Sequence, residues 1–110
     1  MRQLVVDQLS LEERLNLESY LKRKLRPGQM DGVFWLELPH SLWGEAQRGH
    51  DLCAPFFFGV ELEESRVVFE LLIRSSSNLH CSCISYPEPA QREFVLAFFD
   101  EMLAGEHIRA

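Results

Sequence analysis

The sequence lacks the patterns that mark several large classes of protein. No apolar run approaches the ~18 residues that a membrane span needs, and Asp7 stands where a signal peptide would have its apolar stretch. The six glycines are scattered, and none belongs to a phosphate-binding loop. We therefore expect a cytoplasmic protein with neither a membrane segment nor a glycine-rich nucleotide site.

Positive charge is also scarce, with 11 basic residues against 17 acidic ones and a formal net charge of −6. Proteins that bind nucleic acid usually carry a basic face, because neutralising phosphates supplies most of their affinity. The one basic cluster, residues 22–26, falls at the end of a predicted helix, where the helix dipole favours cations. We expect no nucleic-acid partner.

Cysteine is rare and odd in number, with only Cys53, Cys81 and Cys83. An odd count without a secretory signal does not predict a disulfide framework, and reduced thiols in a reducing compartment fit better. Apolar residues are present in the ordinary amount, at 46% of the 110 residues. A chain of this length predicts a single domain, residues 1–110, which buries roughly 60–70% of its unfolded surface.

Two helices are predicted, one near each end of the chain. The first spans residues 11–25, because Ser10 and Glu13 form a capping box at its start and Pro27-Gly28 ends it. The second spans residues 89–104, with Pro89 in its first turn. Its apolar residues cover an arc wide enough to contact both a sheet and the first helix.

Four strands are predicted between the helices, at residues 33–38, 56–63, 66–74 and 79–86, although alternation is weakest in the last. Their short connections favour antiparallel neighbours. The predicted fold class is α+β: an N-terminal helix, a four-stranded antiparallel meander and a C-terminal helix, with both helices on one face of the sheet. The core is predicted to contain Phe58, Val60, Phe69, Leu71, Ile73, Phe94, Phe98 and Phe99.

Two pairs of soft ligands lie about thirty residues apart, His50-x-x-Cys53 and Cys81-x-Cys83. Four nitrogen and sulfur ligands suit a tetrahedral structural zinc ion. The spacing matches no standard zinc finger or ribbon, and two cysteines in an extended strand would have Cα atoms about 6.6 Å apart. Only a turn or bulge there would bring both to one ion; otherwise the three cysteines are small packing residues.

A cysteine nucleophile with His40, His50 or His80 as its base is the alternative chemistry. No local signature supports any of these pairs. Adjacent acids such as Glu12-Glu13 are typical of solvated helix faces and turns. We expect no catalytic residues, and therefore no enzyme.

Strand alternation assigns Trp35, Phe57, Val68 and Leu72 to the sheet face opposite the helices. Large apolar residues on an uncovered face indicate a contact surface, with Trp35 as its anchor. Two alternatives remain: Leu42 and Trp43 of the long loop, residues 39–55, fold over this face, or one helix packs on each face.

The leading hypothesis is a non-catalytic interaction or adaptor protein, binding itself as a homodimer or another protein. In element order and charge alone it resembles the type III secretion chaperones, an analogy at the level of the fold. The alternative hypothesis is a zinc-binding module that uses His50, Cys53, Cys81 and Cys83.

Overall fold

The computed structural model describes residues 1–108. Within them two α-helices and five β-strands follow the order strand, helix, four strands, helix, with bounds β1 (Gln3–Val6), α1 (Leu11–Lys24), β2 (Arg26–Pro27), β3 (Val33–Glu37), β4 (Phe56–Leu62), β5 (Val67–Ser75) and α2 (Pro89–Gly105). The predicted capping box is present, since the Glu13 amide donates to the Ser10 hydroxyl and the Glu13 carboxylate accepts from the Ser10 amide. Neither helix is both long and apolar enough to cross a bilayer.

The sheet has the order β1-β5-β4-β3-β2, and every neighbouring pair is antiparallel. The strands β2 to β5 form a meander, and β1 adds to the outer edge of β5, with Val5 opposite Val68. The predicted α+β class, the antiparallel sheet and the helix positions are confirmed. The predicted number of strands is wrong, because the short strands β1 and β2 were not expected.

The predicted strand at residues 79–86 is wrong. This segment is a series of turns, and only Ser85 pairs with the sheet, through an isolated bridge to Ile73. One cause is local: the Asn78 side chain accepts the His80 amide at 3.0 Å, a turn that competes with extended pairing. A second cause is that β1 already occupies the edge of β5 as far as Leu71, whose amide donates to the Arg2 carbonyl.

Both helices pack on one face of the sheet. Tyr20 of α1 meets Phe98 of α2 edge-on, with ring centroids 6.0 Å apart, and Phe69 of β5 meets Phe99 at 5.3 Å. These contacts make one core from α1, α2 and the inner face of the sheet. Its fully buried members include Leu17, Leu21, Phe56, Phe58, Val60, Phe69, Ile73, Val95 and Met102.

A bulge separates the two halves of the β4–β5 pairing. Phe58 pairs with Ile73 and Val60 pairs with Phe69, so Gly59 alone lies opposite residues 70–72. A Cβ atom at Gly59 would come 2.5 Å from a Glu70 carboxylate oxygen. The glycine therefore lets the Glu70 side chain lie across the back of the sheet.

Candidate metal centre

Two irregular segments meet at one end of the sheet. The first joins β3 to β4 and contains two short 3₁₀ turns, His40–Leu42 and Asp51–Cys53. It is fixed by Trp43, which packs edge-on against Phe56 of the core at 4.9 Å. The second is the run of turns that follows β5. Because β4 begins and β5 ends at the same end of the sheet, the two segments lie side by side.

This meeting point brings together His50, Cys53, Cys81 and Cys83, here called the four-ligand cluster. Their ligand atoms all lie within 4.8 Å of one another. The Cys53 and Cys81 sulfurs are 3.6 Å apart, and the Cys81 sulfur is 3.2 Å from His50 Nδ1. All four residues that the sequence predicted as metal ligands therefore lie together.

These distances can be compared with those of a tetrahedral zinc site. Zn–S bonds of about 2.3 Å place two sulfurs about 3.8 Å apart, and a Zn–N bond of about 2.0–2.1 Å places nitrogen and sulfur about 3.6 Å apart. The shortest separations in the cluster lie within ~0.5 Å of these values. The widest would have to contract by about 1.2 Å at most.

The turns at residues 79–84 allow Cys81 and Cys83 to share one ion. The Ile84 amide donates to the Cys81 carbonyl at 3.1 Å, which closes a turn over Cys83. Within that turn the Cys83 amide points at the Cys81 sulfur, at 3.4 Å. The two cysteines are therefore held by a turn rather than spaced along a strand.

Burial differs among the four ligands. Cys83 is fully buried in the core, whereas Cys53, Cys81 and His50 are half-buried. None of the three cysteines, all of which lie in the described part of the chain, forms a disulfide. The cluster thus has one closed side, formed by the core, and one side within reach of solvent.

The thiols polarise one another. Hydrogen bonds from the Cys83 side chain and amide, with smaller effects of the Cys53 thiol and the His50 charge, lower the pKa of Cys81 to about 6. Burial, together with hydrogen bonding to the Cys81 and Cys53 thiols, raises the pKa of Cys83 to about 12. Cys81 is therefore the thiol that most readily presents a thiolate.

Two buried glutamines support the cluster from the core side. Gln47 is completely buried, and its Nε2 donates to the Cys83 carbonyl at 2.8 Å and to the Ser85 hydroxyl at 3.1 Å. Its Oε1 accepts from Nε2 of Gln91 at 3.0 Å and from the Gly44 amide at 3.0 Å. The pair ties the cysteine turn to the long loop and to the first turn of α2.

Two serine hydroxyls support the cluster from the sheet side. The Ser75 hydroxyl, at the end of β5, donates to the Cys53 carbonyl and accepts the amides of Ser77 and Asn78. The Ser77 hydroxyl donates to the Leu52 carbonyl at 3.0 Å. Sequence analysis missed these serines and both glutamines, because such residues are ordinarily exposed. Only Gln91 had a sequence signal, since it lies three residues after Glu88 at a helix start, the spacing of a capping box.

The other histidines lie elsewhere. The His40 ring packs at a tilt against that of Trp43, with ring centroids 4.3 Å apart, and His80 is exposed beside the Asn78 turn. Among the residues that the structure describes, only His50 joins the cysteines. Within residues 1–108, the hydrogen-bond partner of the His50 ring is the Cys81 sulfur.

The face of the sheet opposite the helices carries Trp35, Phe57, Val68 and Leu72. Phe57 and Val68 are buried although no helix covers them, whereas Trp35 and Leu72 are half-buried. The Trp35 ring lies 5.9 Å from that of Phe57. Both alternatives for covering this face are wrong, because Leu42 and Trp43 pack against the core and both helices lie on the other side.

A groove of about 580 Å³ runs over this face between the sheet and residues 76–84. Trp35 and Phe57 form part of its floor, and Leu79 and Ile84 belong to its wall. The two ionisable residues at its edge, Glu70 and Arg74, pair with each other through bonds of 3.0 and 3.2 Å. The groove is therefore apolar and carries no unpaired charge.

Comparisons with family models, with curated proteins and with solved structures found no match to this chain.

Proposed function

We propose that this protein is a zinc-binding, non-catalytic module in which one ion joins residues 50–53 to residues 81–83. The observation that carries the proposal is the convergence of His50, Cys53, Cys81 and Cys83, whose ligand atoms lie within 4.8 Å of one another. These residues come from two segments that are about thirty positions apart in the sequence, and no continuous secondary structure forces them together.

The donor set favours zinc in a structural role. Three sulfurs and one imidazole nitrogen are soft or borderline ligands that suit zinc and suit calcium or magnesium poorly. Four protein ligands fill a tetrahedral site, so no position remains for a reactive water. A reducing compartment such as the cytoplasm, which keeps the thiols available, is part of the proposal.

The ion would stabilise a segment that has few other restraints. Residues 76–84 contain no strand or helix, and the side-chain bonds that tie them to the long loop come from Ser75, Ser77 and Gln47. Because the unfolded chain lacks a formed site, the free energy of zinc binding adds to that of folding. Zinc would therefore add to the stability of this end of the sheet.

The experiment is elemental analysis of protein purified without chelator, followed by thermal unfolding of the metal-free and zinc-loaded forms. We expect one zinc per chain and a higher Tm with zinc. Cys81→Ser should abolish both effects, whereas Ser82→Ala, an exposed neighbour, should keep them. Absence of stoichiometric metal, together with an unchanged Tm on adding zinc, would contradict the proposal.

A second candidate function is self-association through the face that carries Trp35 and Leu72. It is supported by the half-exposed side chains of both residues on a face that no helix covers. It is also supported by the groove that Trp35 helps to line, whose two charged residues pair with each other. Such a patch is typical of a contact surface. The proposed partner is a second copy of the chain in a homodimer.

Charged substitutions test this second function. Trp35→Glu and Leu72→Glu should give a folded protein of half the native mass by light scattering if they break a dimer. Leu15→Glu on α1, where Leu15 is half-exposed, is the matched control and should leave the mass unchanged. A wild-type protein that is already monomeric at high concentration would contradict self-association.

A further inference from the structure

Two of the three cysteines are placed to react with each other. The sulfurs of Cys53 and Cys81 lie 3.6 Å apart, and both residues are half-buried, so solvent reaches that side of the cluster. Cys83 differs, because it is fully buried in the core. The cluster therefore combines one accessible pair of thiols with one protected thiol.

We infer that Cys53 and Cys81 form a reversible oxidation site, in which a peroxide converts the two thiols into a disulfide and so removes two of the four zinc ligands. The release of zinc rests on the proposed function. The pairing of Cys53 with Cys81 does not, because it follows from the positions of the two sulfurs alone.

The chemistry balances with hydrogen peroxide as the oxidant. The Cys81 sulfur attacks one peroxide oxygen, the O–O bond breaks, and the departing hydroxide takes a proton to become water, which leaves Cys81 as a sulfenic acid. The Cys53 sulfur then attacks the Cys81 sulfur. The S–O bond breaks, and the second hydroxide leaves as water with the Cys53 proton. Two thiols have lost two electrons in total, and the peroxide has gained them.

The backbone around the pair permits the bond. Bringing the sulfurs from 3.6 Å to the usual S–S distance requires a movement of about 1.6 Å. Cys53 ends a 3₁₀ turn and Cys81 lies in the turns after β5, so neither belongs to a strand that would resist the shift. The Ser75 and Ser77 hydroxyls keep the two segments adjacent without metal.

The disulfide would take the place of the ion as a cross-link. Oxidation leaves only His50 and Cys83 as ligands, and two ligands hold zinc far more weakly than four. The new bond still joins the same two segments, so the fold should persist. Metal occupancy, rather than folding, is what the oxidation would control, and a dithiol reductant would reverse it.

The test treats zinc-loaded and metal-free protein with hydrogen peroxide, blocks the remaining thiols with iodoacetamide and maps disulfides by mass spectrometry. Trypsin places Cys53 in peptide 49–66 and the other two cysteines in peptide 75–92, and fragmentation of the linked pair shows which of them has reacted. A chromophoric chelator measures released zinc. We expect a Cys53–Cys81 link in both forms, one zinc released per link, and reversal of both by dithiothreitol followed by zinc.

Two variants test which cysteines form the disulfide. Cys83→Ala should still form the link, whereas Cys53→Ser should form none and should accumulate sulfinic acid on Cys81. If Cys83→Ala does not fold, fragmentation of the wild-type peptides gives the same assignment.

The outcomes separate the two claims. A link in metal-free protein that never binds zinc would overturn the proposed function and support the oxidation site. No link in either form, or a link through Cys83, would overturn the oxidation site even if zinc binds. Link formation with zinc retained would overturn the claim that oxidation controls metal occupancy.

Discussion

At the scale of single residues, Gln47 has a buried structural role that is unusual for a glutamine. Its side chain is completely buried, and it joins the Cys83 carbonyl to Gln91 and to the Gly44 amide. Among residues 1–108, no buried side-chain nitrogen or oxygen lacks a partner. The glutamine pair is therefore a satisfied network, which fixes the position of its members more strictly than apolar packing would.

Replacing Gln47 by Leu should weaken zinc binding without removing a ligand. The loss of the hydrogen bond to Cys83 frees the cysteine turn, and partners outside the ligand set typically contribute 10–100-fold to metal affinity. We expect an increase of about tenfold in the zinc Kd, measured by competition with a chelator. The unpartnered Gly44 amide and Gln91 side chain should also cost about 1–3 kcal/mol of folding free energy.

The matched control for Gln47 is Gln29→Leu, because Gln29 is exposed. It should leave both the zinc Kd and the free energy of unfolding unchanged. An unaltered Kd in the folded Gln47→Leu protein would show that the glutamine pair does not position the cluster.

Cys81 should be the most reactive thiol of the metal-free protein near neutral pH. Its pKa is lowered to about 6, and the thiolate is the form that reacts with alkylating agents. Alkylation of Cys81 by iodoacetamide should therefore stay fast above pH 6 and slow as the pH falls through that value. Cys83, whose pKa burial raises to about 12, should be the slowest of the three.

The control for this profile is the protein unfolded in urea. There the midpoint for Cys81 should move to the ordinary thiol value of about 8.5. The same midpoint in the folded and unfolded protein would contradict the mutual polarisation of the thiols.

At the scale of elements, β5 is the strand that packs the sheet against α2. Phe69 of β5 is fully buried and contacts the rings of Phe98 and Phe99 on α2. Phe69→Ala should cost about 3–5 kcal/mol in the free energy of unfolding, because it leaves a cavity between sheet and helix. Chemical denaturation gives the value directly.

Leu11→Ala is the comparison for Phe69, because Leu11 lies on α1 with 71% of its surface exposed. Its loss should change the free energy of unfolding by less than ~0.5 kcal/mol. A cost below about 1 kcal/mol for Phe69→Ala would mean that the contacts between β5 and α2 are not part of the stable core.

Elements with strong alternation were predictable from the sequence, and weakly patterned ones were not. The apolar alternation in β4 and β5 is reinforced by aromatic and β-branched residues and gave the correct inner face. The strand Gln3–Val6 is too short to stand out, and it is stabilised by pairing with β5 rather than by its own pattern. Residues 79–86 were assigned to a strand on weak alternation, although Asn78, which makes a turn, precedes them.

At the scale of the whole molecule, the conformation of residues 79–86 determines whether the metal site can form. A strand at residues 79–86 would have kept Cys81 and Cys83 too far apart to share an ion easily, whereas the observed turn brings them together. The four ligand residues could be identified from the sequence. Their convergence was not, because it depends on Gln47, Ser75 and Ser77, whose buried roles have no sequence signature of their own.

We propose that one zinc ion is held by three cysteine sulfurs and one histidine nitrogen at this end of the sheet. X-ray absorption at the zinc edge of the purified protein measures that ligand set directly. We expect three sulfurs at about 2.3 Å and one nitrogen at about 2.0–2.1 Å, with Cys53→Ser reducing the sulfur count to two. A spectrum of bound zinc dominated by oxygen and nitrogen neighbours, and unchanged in Cys53→Ser, would contradict it.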